Sequence, residues 1–311
     1  MKFTRLGAPG AEEPAVLAAG ADGVERCYLL DSLTPDIDGE FLAGQGIART
    51  RAALAAGELE EFEGFAELRV GAPIARPSAL VCIGMNYALH AAESGAEPPS
   101  VPVVFLKPSN TVAGPNDRAP IPPRSSQYDW EVELGIVIGR RASYLESLDE
   151  ARECIAGYVA ANDLSEREYQ LPGAAGQWTK GKSLPASTPL GPWLVPADCV
   201  DASALRLRSW VNGEPRQDSS TADLIFDPVT LVHHCSQYML LEPGDVILTG
   251  TPAGVGLSGR FPYLAEGDVV EIEIEGLGRQ RQEFYRAGSG REGAARERAV
   301  PEGSVREGAS A

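Results

Sequence analysis

Between Ala79 and Tyr285 the chain is written as short apolar runs broken by Gly, Pro and Asp, a pattern that predicts many short strands and few helices. Strands are predicted at Leu80–Gly84, Val103–Leu106, Trp130–Gly139, Tyr158–Ala161, Leu205–Val211, Asp245–Thr249 and Val269–Ile274. One helix is well signalled: Asp227 stands as an N-cap, Pro228 suits the first turn, and the run continues to about Leu240. Strand and helix do not alternate, so the pattern favours a strand-rich α+β fold over a doubly wound parallel sheet. The first ~70 residues predict a small α/β module of short strands with one Ala-rich helix, Ile47 to Leu59. Turn residues from Gly71 to Pro77 mark a boundary, giving an N-terminal module at 1–73 and a larger domain at 74–285. Residues 286–311 carry almost no large apolar side chain and are expected to be a disordered tail.

Charge narrows the partners. Lys and Arg number 27 against 44 Asp and Glu, a formal charge of −17, which repels nucleic acid and anionic membrane surfaces. The five cysteines are scattered without C-x-x-C spacing, which argues against a disulfide framework or a zinc site and suits a reducing cytoplasm. No secretory signal or membrane-spanning run is expected, so the predicted location is cytoplasmic.

The densest chemistry lies in Tyr128-Asp-Trp-Glu131-Val-Glu133-Leu-Gly-Ile-Val-Ile-Gly139. On a strand, Trp130, Val132, Leu134, Ile136 and Ile138 share an apolar face, and Glu131 and Glu133 project from the other. Paired carboxylates suit a hard cation; the alternative is a polar strand face that meets water. Asp163 ends the apolar run that begins at Gly157, and is either a third acidic ligand or a turn residue. His90 and Glu93, at i and i+3 of a helical turn, are either a water-activating pair or a surface ion pair. His233 and His234 are assigned to packing or surface roles. Gly176 to Ser183 matches the G-x-x-x-x-G-K-S phosphate-loop pattern, but no apolar strand precedes it and Pro185 and Pro189 follow, so a nucleotide site is rejected. Lys182 remains of interest as a cation set against the candidate acidic residues. Gly250 to Gly256 lacks the G-x-G-x-x-G order and is equally a turn that brings backbone amides to a carboxylate.

In order, these segments resemble the fumarylacetoacetate hydrolase (FAH) superfamily. They are joined by Phe105-Leu-Lys-Pro108, Asn162-Asp163-Leu-Ser165-Glu-Arg167-Glu-Tyr-Gln170, Leu190-Gly-Pro-Trp193, Val211-Asn-Gly-Glu214 and Glu242 through Gly256. The resemblance covers about residues 79–285. It implies a mixed β-sandwich roll in which 74–285 is the catalytic domain, a homodimer, and one Mg²⁺ or Mn²⁺, with Ca²⁺ less favoured. By motif position it implies Glu131, Glu133 and Asp163 as metal ligands, and His90 with Glu93 as a dyad on a mobile lid spanning about Tyr87 to Pro99. Lys182 would stabilise an oxyanion, and Arg167, Gln170 and Thr251 would contact substrate. Ser165-Glu-Arg-Glu168, where the commoner form is Ser-Ala-Arg-Asp, resembles the branch acting on 2,4-diketo-3-deoxy-L-rhamnonate or L-fuconate. The implied reaction is hydrolysis of a C–C bond in an acylpyruvate-type acid to pyruvate and a second carboxylic acid. The alternatives on the same fold are oxaloacetate decarboxylation and diketo-acid isomerisation or tautomerisation.

Overall fold

A computed structural model describes residues 1–20, 22–93, 95, 97–171 and 176–288. The chain opens with β1 (Lys2–Leu6), β2 (Glu13–Ala19), β3 (Glu25–Leu29), helices α1 (Gly39–Ala43) and α2 (Gly46–Ala56), and β4 (Val70–Gly71). It continues through β5 (Leu80–Gly84), α3 (Ala88–Glu93), β6 (Val103–Lys107), β7 (Val112–Ala113), β8 (Ala119–Ile121), β9 (Tyr128–Asp129) and β10 (Val132–Ile138). Next come α4 (Leu148–Glu153), β11 (Ile155–Asn162), β12 (Ser165–Glu166), α5 (Arg167–Gln170), α6 (Thr179–Lys182), β13 (Thr188–Pro189) and β14 (Val195–Pro196). The last elements are β15 (Arg206–Val211), β16 (Glu214–Ser220), α7 (Pro228–Ser236), β17 (Val246–Leu248), β18 (Val269–Ile274) and β19 (Gly278–Arg286).

The fold is strand-rich α+β. A six-stranded sheet runs β14-β11-β10-β17-β5-β6 and a five-stranded sheet runs β16-β15-β18-β19-β8. Both are mixed, because β17 pairs parallel with β5 and β19 parallel with β8. Side chains alternate across a strand, so the six-stranded sheet feeds two cores. Ile83, Leu134, Ile136 and Ile138 pack with Leu207, Val270 and Ile272 of the five-stranded sheet. Cys82, Val137, Val159 and Leu248 point the other way, onto Phe3, Val16, Leu30 and Phe41 of the N-terminal module. That module forms its own sheet, β3-β2-β1-β4. Among the described residues no helix is long and apolar enough to cross a membrane.

The predicted strands all appear, most within a few residues of their expected bounds. The main departure is at Trp130–Gly139, where the strand begins only at Val132 and a separate short strand, β9, precedes it at Tyr128–Asp129. Asp129 Oδ1 accepts the Trp130 amide at 2.9 Å and Asn162 Oδ1 accepts that of Glu131 at 3.1 Å, so side chains replace the ladder as the chain changes sheets. Helix α2 stops at Gly57, whose φ of 68° is the left-handed conformation that ends a helix cheaply only at glycine. Helix α7 is capped by Asp227 as expected, but ends at Ser236 rather than near Leu240. There Ser236 Oγ donates to the His233 carbonyl at 2.7 Å and the Gln237 amide reaches the same oxygen at 3.3 Å, relieving the last turn. Arg286 is the final residue of β19; the rest of the expected tail from 289 on lies outside the described residues.

Asp245 holds the sheet's parallel pair together. Its carboxylate accepts the Ser78 hydroxyl, the Ala79 amide at 2.7 Å and the Glu242 amide at 2.8 Å, and it is 1% exposed. Asp245→Ala leaves those buried donors without an acceptor. It is expected to destabilise the fold by about 2–4 kcal/mol, read from the urea midpoint at unchanged m-value.

Candidate active site

Antiparallel pairing of β10 and β11 assembles the acidic cluster. Their register sets Val132 opposite Asn162, and the Asp163 amide donates to the Glu131 carbonyl at 2.9 Å, so Asp163 arrives beside Glu131 and Glu133. The three carboxylates each offer an oxygen within 4.8 Å of the others, and all are buried. Exposures of 4%, 2% and 0% exclude the alternative of a solvated strand face for Glu131 and Glu133 and a turn role for Asp163.

Three cations surround the cluster. Lys182 Nζ bridges Glu131 Oε2 at 2.6 Å and Asp163 Oδ2 at 2.7 Å. Lys107 Nζ binds the other Asp163 oxygen and the Ser187 carbonyl at 2.7 Å. Arg167 reaches Glu131 Oε1 at 2.7 Å, Asp129 Oδ2 at 2.8 Å and Gln170 Oε1 at 2.8 Å. These partners decide the charge states. Burial opposes ionisation of Glu131, but Lys182 and Arg167 outweigh it and hold its carboxyl well below the usual range. Burial and the neighbouring Asp163 and Glu131 instead push Glu133 well above that range. Burial would strip the proton from Lys182, yet Asp163 and Glu131 keep it charged.

The turn at Gly250–Leu257 does bring amides to carboxylates. Gly250 N donates to Glu133 Oε2 at 2.8 Å, Gly254 N to Glu93 at 3.1 Å, and Gly256 N and Leu257 N to Asp129 at 2.8 and 2.9 Å. Thr251 Oγ1 donates to the Val132 carbonyl at 2.9 Å and accepts from Gln217 at 2.7 Å. His90 Nδ1 lies 3.5 Å from Glu93 Oε2 on α3. Burial opposes charge on Glu93, but hydrogen bonds from His90 and the Gly254 amide hold its carboxyl below the ordinary value.

A pocket of about 190 Å³ opens onto this machinery. His90, Glu131, Glu133, Arg167, Gln170, Lys182 and Thr251 line it, while Asp163 is fully buried and Glu93 stands behind His90. The nine residues singled out in the sequence therefore converge on one place. Sequence reasoning gave no role to Lys107, Asp129 or Gln217. Lys107 ends an apolar run as a solvated strand tip would, and Asp129 follows the polar stretch Ser125-Ser-Gln-Tyr128, so neither stood out locally. The match at Gly176–Ser183 forms only the four-residue helix α6, too short for a phosphate-loop helix. His234 packs against Tyr238 with ring centres 5.0 Å apart and planes tilted by 52°, outside the pocket. A groove of about 1000 Å³ bordered by Asp36, Glu40, Arg76, Arg140 and Glu242 holds none of the converging residues.

Comparison with known proteins agrees with this geometry. A Burkholderia multivorans protein named provisionally as a hydrolase is 45% identical over 288 residues, covering 91% of this chain and 98% of the relative. The crystal structure of a 2-hydroxyhepta-2,4-diene-1,7-dioate isomerase from Mycobacterium marinum is 34% identical, with a TM-score of 0.71, covering 93% of this chain and 99% of that one. A fumarylacetoacetate hydrolase from psychrophilic Exiguobacterium antarcticum is 31% identical, with a TM-score of 0.75, over 92% and 99% of the two chains. The family model described as fumarylacetoacetate (FAA) hydrolase C-terminal matches residues 79–285, the span that carries both large sheets and every site residue. This chain belongs to the fumarylacetoacetate hydrolase family.

Proposed function

We propose that this chain is a divalent-metal-dependent hydrolase that cleaves the C3–C4 bond of a 2,4-diketo, acylpyruvate-type acid, giving pyruvate and a second carboxylic acid. The observation that supports it is the meeting, in one pocket, of a buried three-carboxylate cluster with the His90–Glu93 pair. The acyl side is either hydroxylated, as in a 2,4-diketo-3-deoxy sugar acid, or apolar.

The donor set fits a hard cation such as Mg²⁺ or Mn²⁺. It is oxygen-only, and each carboxylate has about four lone-pair directions, so Glu131 and Asp163 retain capacity beyond their lysine and arginine bonds. Four carboxylates (Asp129, Glu131, Glu133, Asp163) face three cations (Lys107, Arg167, Lys182), leaving one formal negative charge for a divalent ion to reverse. Glu131, Glu133 and Asp163 would hold that ion, which would supply Lewis-acid polarisation of a bound keto acid. Arg167 and Gln170 line the pocket beside the cluster and orient the substrate's carboxylate end. His90, held by Glu93, takes a proton from the attacking water. The oxygen adds to C4; the C3–C4 electron pair leaves with C3, which is then protonated to give pyruvate. Lys182 uses two of its three N–H donors on Glu131 and Asp163 and turns the third to the C4 oxygen as charge develops there.

The similarity to an isomerase favours a second reading, in which the same site shifts a double bond without water. Product NMR in ¹⁸O-labelled water separates the readings. Hydrolysis of an acylpyruvate with Mg²⁺ or Mn²⁺ is expected to give pyruvate and a carboxylic acid carrying one solvent ¹⁸O. Isomerisation yields no second acid, and consumption of oxaloacetate alone, with bicarbonate released, would replace the hydrolase with a decarboxylase.

A further inference from the structure

We infer that the acyl side of the substrate is a short apolar chain rather than a polyhydroxylated one, and that Phe105 and Trp178 select it. This rests on the acylpyruvate reading and names the substrate class within it. The pocket is divided by chemistry. Its acidic and basic groups gather around Glu131, and the rest of its lining is apolar: Ile83, Met85, Phe105, Leu171, Trp178 and Leu257. Lys182 joins the halves, its Nζ lying 5.4 Å from the centre of the Phe105 ring. Trp178 meets Phe105 edge-on, with ring centres 5.6 Å apart. A C4 oxygen directed at Lys182 therefore leaves the C4 substituent against this aromatic pair.

The aromatic wall is fixed in place. Thr179 Oγ1 donates to the Leu106 carbonyl at 2.9 Å, tying α6 to strand β6, and the Trp178 indole covers Gly84 so closely that any side chain there would strike it. Six side chains of this wall offer hydroxyl groups a single conventional donor, the Trp178 indole N–H, and no acceptor oxygen. Of the other lining groups, Thr251 is engaged by Val132 and Gln217, while Arg167 gives three N–H groups to Asp129, Glu131 and Gln170 and keeps the rest for the substrate's carboxylate end. A hydroxyl placed against this wall would give up water with at most that one donor and no acceptor in return, which disfavours it roughly tenfold or more in transition-state binding.

The test uses two substrates that differ by one hydroxyl: 2,4-dioxohexanoate and 5-hydroxy-2,4-dioxohexanoate, whose acid products are propanoate and lactate. The full-length protein with Mg²⁺ or Mn²⁺ is expected to favour the first in kcat/KM by about tenfold or more. Trp178→Ala is expected to shrink that ratio towards one while the inhibition constant for pyruvate, which reads the polar half, moves less than about twofold. Trp178→Gln, which brings an amide donor and acceptor to the wall, repeats the measurement with the same expected shrinkage if the alanine variant does not fold. Equal use of the two acids, or preference for the hydroxylated one, overturns the inference and leaves the hydrolase reading standing. Cleavage of neither acid overturns the reading beneath it.

Discussion

Glu133→Gln is expected to lower metal-dependent turnover by at least about 10³-fold, a loss of about 4 kcal/mol of transition-state stabilisation, while leaving the metal-free fold intact. The asymmetry among the three carboxylates produces this. Among the described residues Glu133 forms no ion pair with a cation, and the neutral Gly250 amide that donates to it at 2.8 Å serves a Gln carbonyl equally well. Burial and the adjacent Asp163 and Glu131 already press Glu133 towards its neutral form, so an uncharged amide costs the metal-free protein within about 1 kcal/mol. Asp163→Asn differs, because Lys107 and Lys182 both depend on that carboxylate in a fully buried setting. Leaving buried cations without their partner is expected to cost about 3–5 kcal/mol in urea unfolding with chelator present. Thermal shift supplies the second readout. Wild type with metal at 100 times its dissociation constant gains about 2.7 kcal/mol, and Glu133→Gln should gain almost none. Full metal-linked stabilisation in Glu133→Gln would remove that residue from the ligand set.

Much of this site was legible from chain spacing, because strands impose simple geometry. Glu131 and Glu133, two apart, had to share a face, and His90 and Glu93, three apart on a helical turn, had to be neighbours. What spacing could not give was the environment of that face. Burial of Glu131 and Glu133 follows from Asn162 and Asp163 arriving antiparallel on β11, a pairing across some thirty residues that no local pattern encodes. Lys107 was illegible for the same reason: at the end of a strand it reads as a solvated tip, and only the fold buries it against Asp163. Strands β16 and β19 escaped because their sequences, Glu-Pro-Arg-Gln-Asp-Ser-Ser and Gly-Arg-Gln-Arg-Gln-Glu-Phe-Tyr-Arg, lack an apolar face. Apart from Phe284, their buried positions are filled by Gln217, Gln280 and Gln282, which bury their amides as hydrogen-bond partners of Thr251, Ala160 and Asn162. Hydrophobic periodicity does not see an interior built from satisfied amides.

His90→Ala is expected to reduce hydrolysis by roughly 10²–10⁴-fold, the range for removing a general base, with metal-linked stabilisation unchanged because His90 is not in the carboxylate cluster. The dyad's geometry sets the companion variant. Glu93 is held ionised by His90 and the Gly254 amide, so it can orient the imidazole and support the positive charge the ring acquires when it takes water's proton. Glu93→Gln keeps an acceptor for Gly254 but removes the charge, and is expected to cost about 10–100-fold, less than loss of the ring itself. The pH profile separates a base from a structural residue. A base works only when unprotonated, so a catalytic base leaves an acid-side limb in the wild-type kcat/KM profile. In His90→Ala the residual rate should lose that limb. Oxaloacetate decarboxylation needs no water-derived nucleophile, so any such side activity should survive the substitution. A variant that keeps full hydrolytic turnover, or the same acid limb at a lower rate, would mean that the water is activated elsewhere, and the hydrolase assignment would lose the residue pair that distinguishes it from an isomerase.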